Sequence, residues 1–510
     1  MAKQPQTSMQ QPSQLELQAA LMHLNAGKFA EAESAAKKLV VRYPNAFILH
    51  HVLGLAQDGL AKYSDAVVSY TKALAIQPNT PDLQFNLGIA LSNIGRFAEA
   101  ENSYRKAITL QPQFFEAHGN LGTVLQKQGK LEEAVASYSK ALSINEDPRG
   151  HFNLGTALRD EGKLDEAIVH FKQAIRLFPN YADAHNYLGE CLRDQGNMEE
   201  AIKSYLDTLQ LNPSHAGANY NMGEFLYLAK RFDEAVTYFE KSQLDDWQER
   251  SLYCLYKAER FEDFKTKLDT IVRTHKKHNA PFLATLSTHY STNFGVEDEY
   301  NFCKNGFDYV YQNSISELAA PNSELLAALL ENVSNADIQE RKQGMLVNGT
   351  QSAGNLFKRP EPAFRKLAEL VKQEFINYKN RFAGSNCELI ESFPQELEFT
   401  SSWYVKMRRG GYVDRHIHEV GWISGAVYLA MPTDLKDPTE GCFEYGLHGD
   451  NYPQKHSNFP VGIAKPNVGD IVLFPSSLFH RTIPFNSNEE RICIAFDLKP
   501  DGDIFIKSNY

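Results

Sequence analysis

Small, aromatic and apolar positions return along the first half of the chain with a period of 34 residues. Glycines at 54, 88, 122, 155, 189 and 223 are separated by 34, 34, 33, 34 and 34 positions, and alanines at 66, 100, 134, 167, 201 and 235 keep the same step. An aromatic residue follows each alanine by four: Tyr70, Tyr104, Tyr138, Phe171, Tyr205 and Phe239. Within one period, as in "FNLGIALSNIGRFAEAENSYRKAITLQP" (85–112), the apolar residues form two runs at helical spacing broken by a turn, so each period predicts a pair of amphipathic helices. The small residues belong where two helix backbones cross most closely, because a larger side chain would force the helices apart. The aromatic residues fill the space beside each crossing, and Pro44, Pro78, Pro112, Pro179 and Pro213 end the second helix by removing an amide donor. About seven such pairs fit between residues 13 and 248, the first the weakest in pattern, and the 33-residue step around "INEDPRG" is a one-residue deletion in a connecting turn.

After Lys241 the period fades through "SLYCLYKAERFEDFKTKLDTIVRTHKKH", which still reads as amphipathic helix and suits a cap on the array. Residues 281–340 read as mixed helix and loop. "EPAFRKLAELVKQEFINYKN" then sets Phe364, Leu367, Val371 and Phe375 on one stripe, the form expected of a helix laid against a sheet. From 399 onward the texture changes to short runs of strand type split by Gly, Pro and Asn: "FTSSWYVKMR", "GWISGAVYLAM", "GCFEYG", "VGIAK", "GDIVLFP", "RICIAFDL" and "DIFIK". The expected fold class is multidomain α + β, an N-terminal α-solenoid followed by a C-terminal sandwich or jelly roll with flanking helices. The expected division is a disordered tail over 1–12, the repeat array over 13–248, a helical cap and linker over 249–340 and the β domain over 341–510.

Charge and composition narrow the partners. A net charge of −11 with no long basic cluster argues against nucleic acid, and no apolar run reaches the roughly 20 residues needed to span a bilayer, so no membrane partner is expected. The N-terminal "MAKQPQTSMQQPSQ" is polar and Gln-rich without an apolar signal core, so the expected location is cytoplasmic. Cys191, Cys254, Cys303, Cys387, Cys442 and Cys493 show no CxxC pairing, which argues against a zinc ribbon or a disulfide framework.

The 34-residue pattern resembles the tetratricopeptide repeat, a resemblance that implies a groove for a protein or peptide. Asn86, Asn120, Asn153 and Asn221 each lie two residues before the small glycine, and this placement is similar to the asparagine ladder in the superhelix of O-GlcNAc transferase. An amide both donates and accepts, so a ladder of amides can hold a peptide main chain without reading its sequence.

Candidate chemistry lies in the C-terminal part. "DRHIHEVGWISG" (414–425) sets His416 and His418 one residue apart before an apolar run, and on a strand residues at i and i+2 leave the same face, so two neutral imidazoles could hold one metal ion. The plainer alternative is a pair of solvated histidines or one half of a cross-strand polar pair.

Three motifs in order, "NGTQSAGNLF" (348–357), "HIHEVGWISGAVYL" (416–429) and "GDIVLFPSSLFH" (469–480), make the C-terminal stretch resemble the double-stranded β-helix (jelly roll, cupin-like) of the iron(II)- and 2-oxoglutarate-dependent oxygenases. Within them it is similar to a poorly characterised, mostly microbial family. The resemblance implies Fe(II), 2-oxoglutarate and O2, with His416, His418 and His480 as the metal ligands and catalytic centre. It further implies Arg491 as the anchor for the far carboxylate of 2-oxoglutarate and Tyr428 as a donor to that carboxylate. Arg491 shares a strand face with Cys493, Ala495 and Asp497, opposite Ile492, Ile494 and Phe496, so it can point into a barrel. The common ligand set of such oxygenases is two histidines and a carboxylate, HxD or HxE. Here HxH leaves two alternatives open: three histidines, or one of His416 and His418 with Asp414 or Glu419 supplying an oxygen. The implied activity is a dioxygenase hydroxylating a protein or peptide held by the repeat groove. The alternatives are a non-catalytic binding scaffold with a degenerate barrel, or an oxygenase acting on a small molecule.

Overall fold

The computed structural model describes residues 12–244, 246–335, 338–341, 344–419 and 421–499. The expected tail over 1–12, but for its last residue, and the expected strand "DIFIK" lie outside the described residues. The chain divides into two compact units, one ending at Asn221 and one beginning at Met222.

The first unit is a run of helical hairpins. Gln14–Asn25 pairs with Phe29–Arg42, Phe47–Gly59 with Tyr63–Ile76, Pro81–Asn93 with Phe97–Leu110, Phe115–Lys127 with Leu131–Ile144, Pro148–Asp160 with Leu164–Leu177, and Ala182–Asp194 with Met198–Leu211. The expected solenoid is therefore what the sequence folds into. The repeated glycine meets the repeated aromatic ring: a Cβ on Gly54, Gly88, Gly122 or Gly189 would come within 2.4 to 2.7 Å of Tyr70, Tyr104, Tyr138 or Tyr205. Ala66, Ala100, Ala134, Ala167 and Ala201 are fully buried beside them. Five of the six second helices, all but Leu131–Ile144, stop two residues before a proline. The residue preceding the proline, Tyr43, Gln77, Gln111, Phe178 or Asn212, has left the helical region with ψ between 66° and 92°, as the proline ring requires.

The second unit opens with helices Phe232–Ser242, Trp247–Lys257, Phe261–Thr274 and Pro281–Phe294. Trp247–Lys257 is buried continuously from Glu249 to Tyr256. It is thus a core helix and not the amphipathic one that its sequence suggested. Ten strands follow among the described residues: β1 (Tyr311–Ser314), β2 (Glu340–Arg341), β3 (Leu346–Ser352), β4 (Phe399–Val413), β5 (Ile423–Ala430), β6 (Phe443–Gly446), β7 (Val461–Ala464), β8 (Asp470–Pro475), β9 (Phe479–Thr482) and β10 (Arg491–Leu498). They form a seven-stranded sheet in the order β1-β8-β5-β10-β4-β3-β2 and a three-stranded sheet β7-β6-β9, antiparallel throughout, consistent with a jelly roll. β1 comes from the stretch read as helix and loop; its residues after Tyr311 are all polar and show no alternation, and it is held as an edge strand by pairing with β8.

Register sets what the large sheet presents to the interior. Across β3, β4, β10 and β5 the inward rows are Met407 with Arg491; Gln351, Val405, Cys493 and Tyr428; Trp403, Ala495 and Ala426; and Ser401, Asp497 and Ser424. On the outer face Phe496 packs on Phe375 of helix Pro362–Arg381, ring centroids 6.0 Å apart, and Phe364, Leu367, Val371 and Phe375 are all fully buried there. The helix stripe read from the sequence therefore covers the outside of the sheet, and the inside is free to form a cavity.

Candidate active site

The segment carrying His416 and His418 is not a regular strand, contrary to the expectation. It connects β4 to β5, and its one ladder contact is an isolated bridge between His416 and His480, with His416 N donating to His480 O at 3.1 Å and His480 N to His416 O at 2.9 Å. That bridge brings the connection against β9 and the three imidazoles together. One nitrogen from each ring lies within 4.8 Å of the others, and the Nε2 atoms of His416 and His418 are 3.2 Å apart.

The other nitrogen of each ring is already engaged. His416 Nδ1 donates to Asp414 O at 2.8 Å and His480 Nδ1 to Leu478 O at 3.2 Å. A carbonyl can only accept, so both rings carry their proton on Nδ1 and turn the Nε2 lone pair inward. His418 Nδ1 lies 2.5 Å from Asp497 Oδ1 and 2.9 Å from Ser424 Oγ. Asp497 is held in turn by Ser424 Oγ at 2.6 Å and Ser401 Oγ at 3.0 Å. Burial by itself would raise the Asp497 carboxyl, yet the neighbouring His418 and these donors hold it below the usual carboxylate range. Burial, reinforced by His418, pushes His416 down to about 4, and burial with the two neighbouring rings puts His480 well below the ordinary histidine range. Imidazoles that stay neutral, hydrogen-bonded on one nitrogen and converging on the other, are the donor set of a metal centre.

Asp414 and Glu419 are not in this cluster. The Asp414 carboxylate accepts from the amide of Arg415 at 2.8 Å, and Glu419 pairs with Arg250 at 3.4 Å. Glu444 accepts from Arg481 at 2.7 and 2.8 Å and from Arg415, joining the residues next to His480 and His416.

The triad opens on a cavity of about 560 Å³ including its mouth, walled by Val405, Phe443 and Phe474 and lined beyond them by Tyr428 and Arg491. Arg491 is 2% exposed. Its Nε donates to Gly441 O at 2.8 Å, Nη1 faces Cys493 Sγ at 3.5 Å, and the guanidinium lies 5.1 Å from the Tyr428 ring centre. Among the described residues no carboxylate pairs with it. A buried cation without a counter-charge is costly to keep, so this end of the cavity fits an anionic ligand. The sequence brought His416, His418, His480, Tyr428 and Arg491 forward and the fold assembles all five on one cavity; it did not single out Asp497 and Ser424 as the holders of His418, although Asp497 already stood on the face of Arg491.

Residues 401–497 match the family model described as "Putative 2OG-Fe(II) oxygenase". Tetratricopeptide repeat models match residues 61–95, 93–129, 113–180, 152–214 and 203–248. The chain joins tetratricopeptide repeats to a domain of this oxygenase family. The oxygenase-family domain so matched contains all three histidines, Tyr428 and Arg491. Among solved structures, the chain is similar to a tetratricopeptide repeat protein from Parabacteroides merdae, 18% identical with a TM-score of 0.40, covering 47% of this chain and 98% of that one. It is also similar to MamA from Desulfovibrio magneticus, 22% identical with a TM-score of 0.32 over 33% of this chain and 96% of that one. A third is YrrB, described as a TPR protein with an unusual peptide-binding site, 24% identical with a TM-score of 0.34 over 37% and 97%. No curated protein matches the chain. Among the described residues no helix is long and apolar enough to cross a membrane.

Proposed function

We propose that the chain is an iron(II)- and 2-oxoglutarate-dependent dioxygenase that hydroxylates a protein or peptide side chain presented by its repeat groove. One observation carries the reading: three converging imidazoles and a buried Arg491 that no carboxylate pairs with among the described residues face the same cavity. His416, His418 and His480 would hold Fe(II), and Arg491 with Tyr428 would take the far carboxylate of 2-oxoglutarate. The chemistry so supplied is R–H + 2-oxoglutarate + O2 giving R–OH, succinate and CO2.

The protein's own part is to fix and shield. Asp497 and Ser424 orient His418 through Nδ1, while the backbone carbonyls of Asp414 and Leu478 do the same for the other two rings. Phe443, Phe474 and Val405 line the cavity with apolar surface that excludes water from the reacting end.

The protein-substrate half of the reading is supported by the repeats, whose usual work is binding other chains. Asn86, Asn120 and Asn153 are half-buried on their helices, Asn86 with its amide 3.5 Å from His51 Nε2, and Asn221 is buried and bonded to Arg193, Asn186 and Glu190 within the array, so any amide ladder works without Asn221. Location in the cytoplasm belongs to the same reading.

Anaerobic addition of Fe(II) and 2-oxoglutarate to the full chain should give the visible charge-transfer band of a chelated 2-oxo acid. Binding of neither would replace the enzyme by a scaffold. Turnover of 2-oxoglutarate stimulated by a small molecule but by no peptide would move the substrate out of the groove.

A further inference from the structure

The connection that carries His416 and His418 meets β9 through one ladder contact, the bridge between His416 and His480. One step along that antiparallel bridge, Arg415 falls beside Arg481. Two guanidiniums in neighbouring cross-strand positions repel, and here the backbone ladder has a single rung to resist the connection being pushed off β9.

Glu444 cancels that repulsion. It stands on β6 level with Arg481 and is 7% exposed. Arg481 grips it as a fork, Nε donating to Oε1 at 2.7 Å and Nη2 to Oε2 at 2.8 Å, while Arg415 donates to the same Oε1 from Nε at 3.2 Å and from Nη2. Burial by itself would raise this carboxyl, but the guanidiniums of Arg481 and Arg415 hold it below the usual carboxylate range, so it stays an anion. Asp414, another acid close by, accepts from the backbone amide of Arg415 at 2.8 Å and among the described residues pairs with neither guanidinium. Glu444 and Arg481 are already fixed by the ladder between β6 and β9, so the part left to be held is the connection, and Arg415 is its handle. One buried carboxylate thus ties the residue before His416 to the residue after His480.

We propose that Glu444 is a positioning residue of the metal centre, bridging Arg415 and Arg481 so that the imidazoles of His416 and His480 stay at the spacing one ion needs. This rests on the metal centre of the proposed function and adds to it a group that touches neither metal nor substrate.

The test uses the full chain under anaerobic conditions without any 2-oxo acid. Wild type, Glu444→Gln, Arg415→Gln and the double variant are compared for Fe(II) affinity against a competing chelator and for the visible ligand-field spectrum of bound Co(II). Glu444→Gln keeps the shape but leaves two guanidiniums side by side without their anion, so it should lower Fe(II) affinity roughly 10-fold, the lower end of what loss of an outer partner costs, and alter the Co(II) spectrum. Adding Arg415→Gln removes the repulsion and should bring affinity back to within about threefold of wild type, the range also expected of Arg415→Gln alone. A merely structural loss of a buried acceptor would leave the double variant no better than Glu444→Gln. Unchanged affinity and spectrum in Glu444→Gln, or a double variant as weak as Glu444→Gln, overturns the role of Glu444 and leaves the metal centre standing. If Glu444→Gln does not fold, the double variant is set against Arg415→Gln, and Fe(II) binding more than about tenfold weaker in the double variant overturns the inference. A wild type that binds neither Fe(II) nor Co(II) overturns the metal centre itself.

Discussion

Asp497 Oδ1 lies 2.5 Å from His418 Nδ1, on the side of the ring away from His416 and His480. The carboxylate that this oxygenase-like site lacks among its converging nitrogens is thus present one bond further out, as the acceptor that fixes the tautomer and direction of an imidazole. Asp497→Asn keeps the shape and removes the anion, so it should lower Fe(II) affinity by about 10- to 100-fold without abolishing it, as loss of such an outer partner does. Metal titration with a competing chelator measures this. An unchanged affinity would show that Ser424 alone orients His418.

The ligand set makes a separable prediction. His418→Ala and His480→Ala should each reduce Fe(II) binding far more than Asp497→Asn does, whereas Asp414→Asn and Glu419→Gln should leave it near wild type, since those carboxylates face the Arg415 amide and Arg250. Titrating the four variants side by side decides the matter. Damage from either amide variant equal to that of His480→Ala would restore a carboxylate to the metal.

Arg491→Ala should retain Fe(II) and lose 2-oxoglutarate affinity by on the order of 100-fold or more, because it removes the fork and its charge from a buried site. Equal affinity in wild type and variant, read from the visible band under anaerobic conditions, would place the anchor elsewhere.

How much of this could be read in the sequence depends on the range over which each feature is encoded. The repeat helices were legible because Gly54 and Tyr70, or Gly122 and Tyr138, meet within one hairpin, sixteen positions apart, and the pairing recurs. β4, β5, β8 and β10 were legible because their alternation or apolar runs extend over several residues. β2, of two residues, leaves too little pattern to find, and β2 and β9 exist because neighbouring strands hold them. The convergence of His416 and His418 was legible from motif and not from strand geometry, since a single bridge to His480 and no ladder holds the segment. The role of Asp497 was invisible for a related reason. It depends on the register that sets Asp497 opposite Ser424, a relation between β10 and β5 that no local pattern carries.

The repeat unit offers a test of packing apart from chemistry. A side chain at Gly122 must enter the Tyr138 ring, its Cβ 2.7 Å from the nearest ring atom. Gly122→Val should therefore destabilise the array by about 1–3 kcal/mol, the usual cost of overpacking. Gly129→Ala, at a turn where φ is 74° but nothing lies within 4 Å of the added carbon, should act through backbone strain instead, and shortening the side chain opposite should not relieve it. Pairing Gly122→Val with Tyr138→Ala should recover part of the overpacking loss, and urea titration of the four proteins measures the coupling.

Acidification should act on the fold through His289. His289 is fully buried on helix Pro281–Phe294, with its Nδ1 2.7 Å from the Tyr256 hydroxyl and its Nε2 2.8 Å from His448 Nδ1. Burial first, then the charges of His448, Lys257 and His456, push it down to about 3. No acidic side chain opposes them among the groups that move it. A histidine whose folded value lies below its unfolded value of about 6.5 favours the folded state fully above that value, and the contribution is lost as pH falls toward 3. Between about pH 6 and 4 the metal-free protein should therefore lose stability by up to about 1.4 kcal/mol per pH unit from this one group. His289→Asn should be less stable than wild type at pH 7.5, where it forfeits the Tyr256 and His448 bonds, yet show a shallower decline on acidification. Urea midpoints of both proteins at pH 7.5, 6 and 5, with a chelator present so that His416, His418 and His480 contribute equally, provide the comparison, and parallel declines would remove His289 as the source of acid sensitivity.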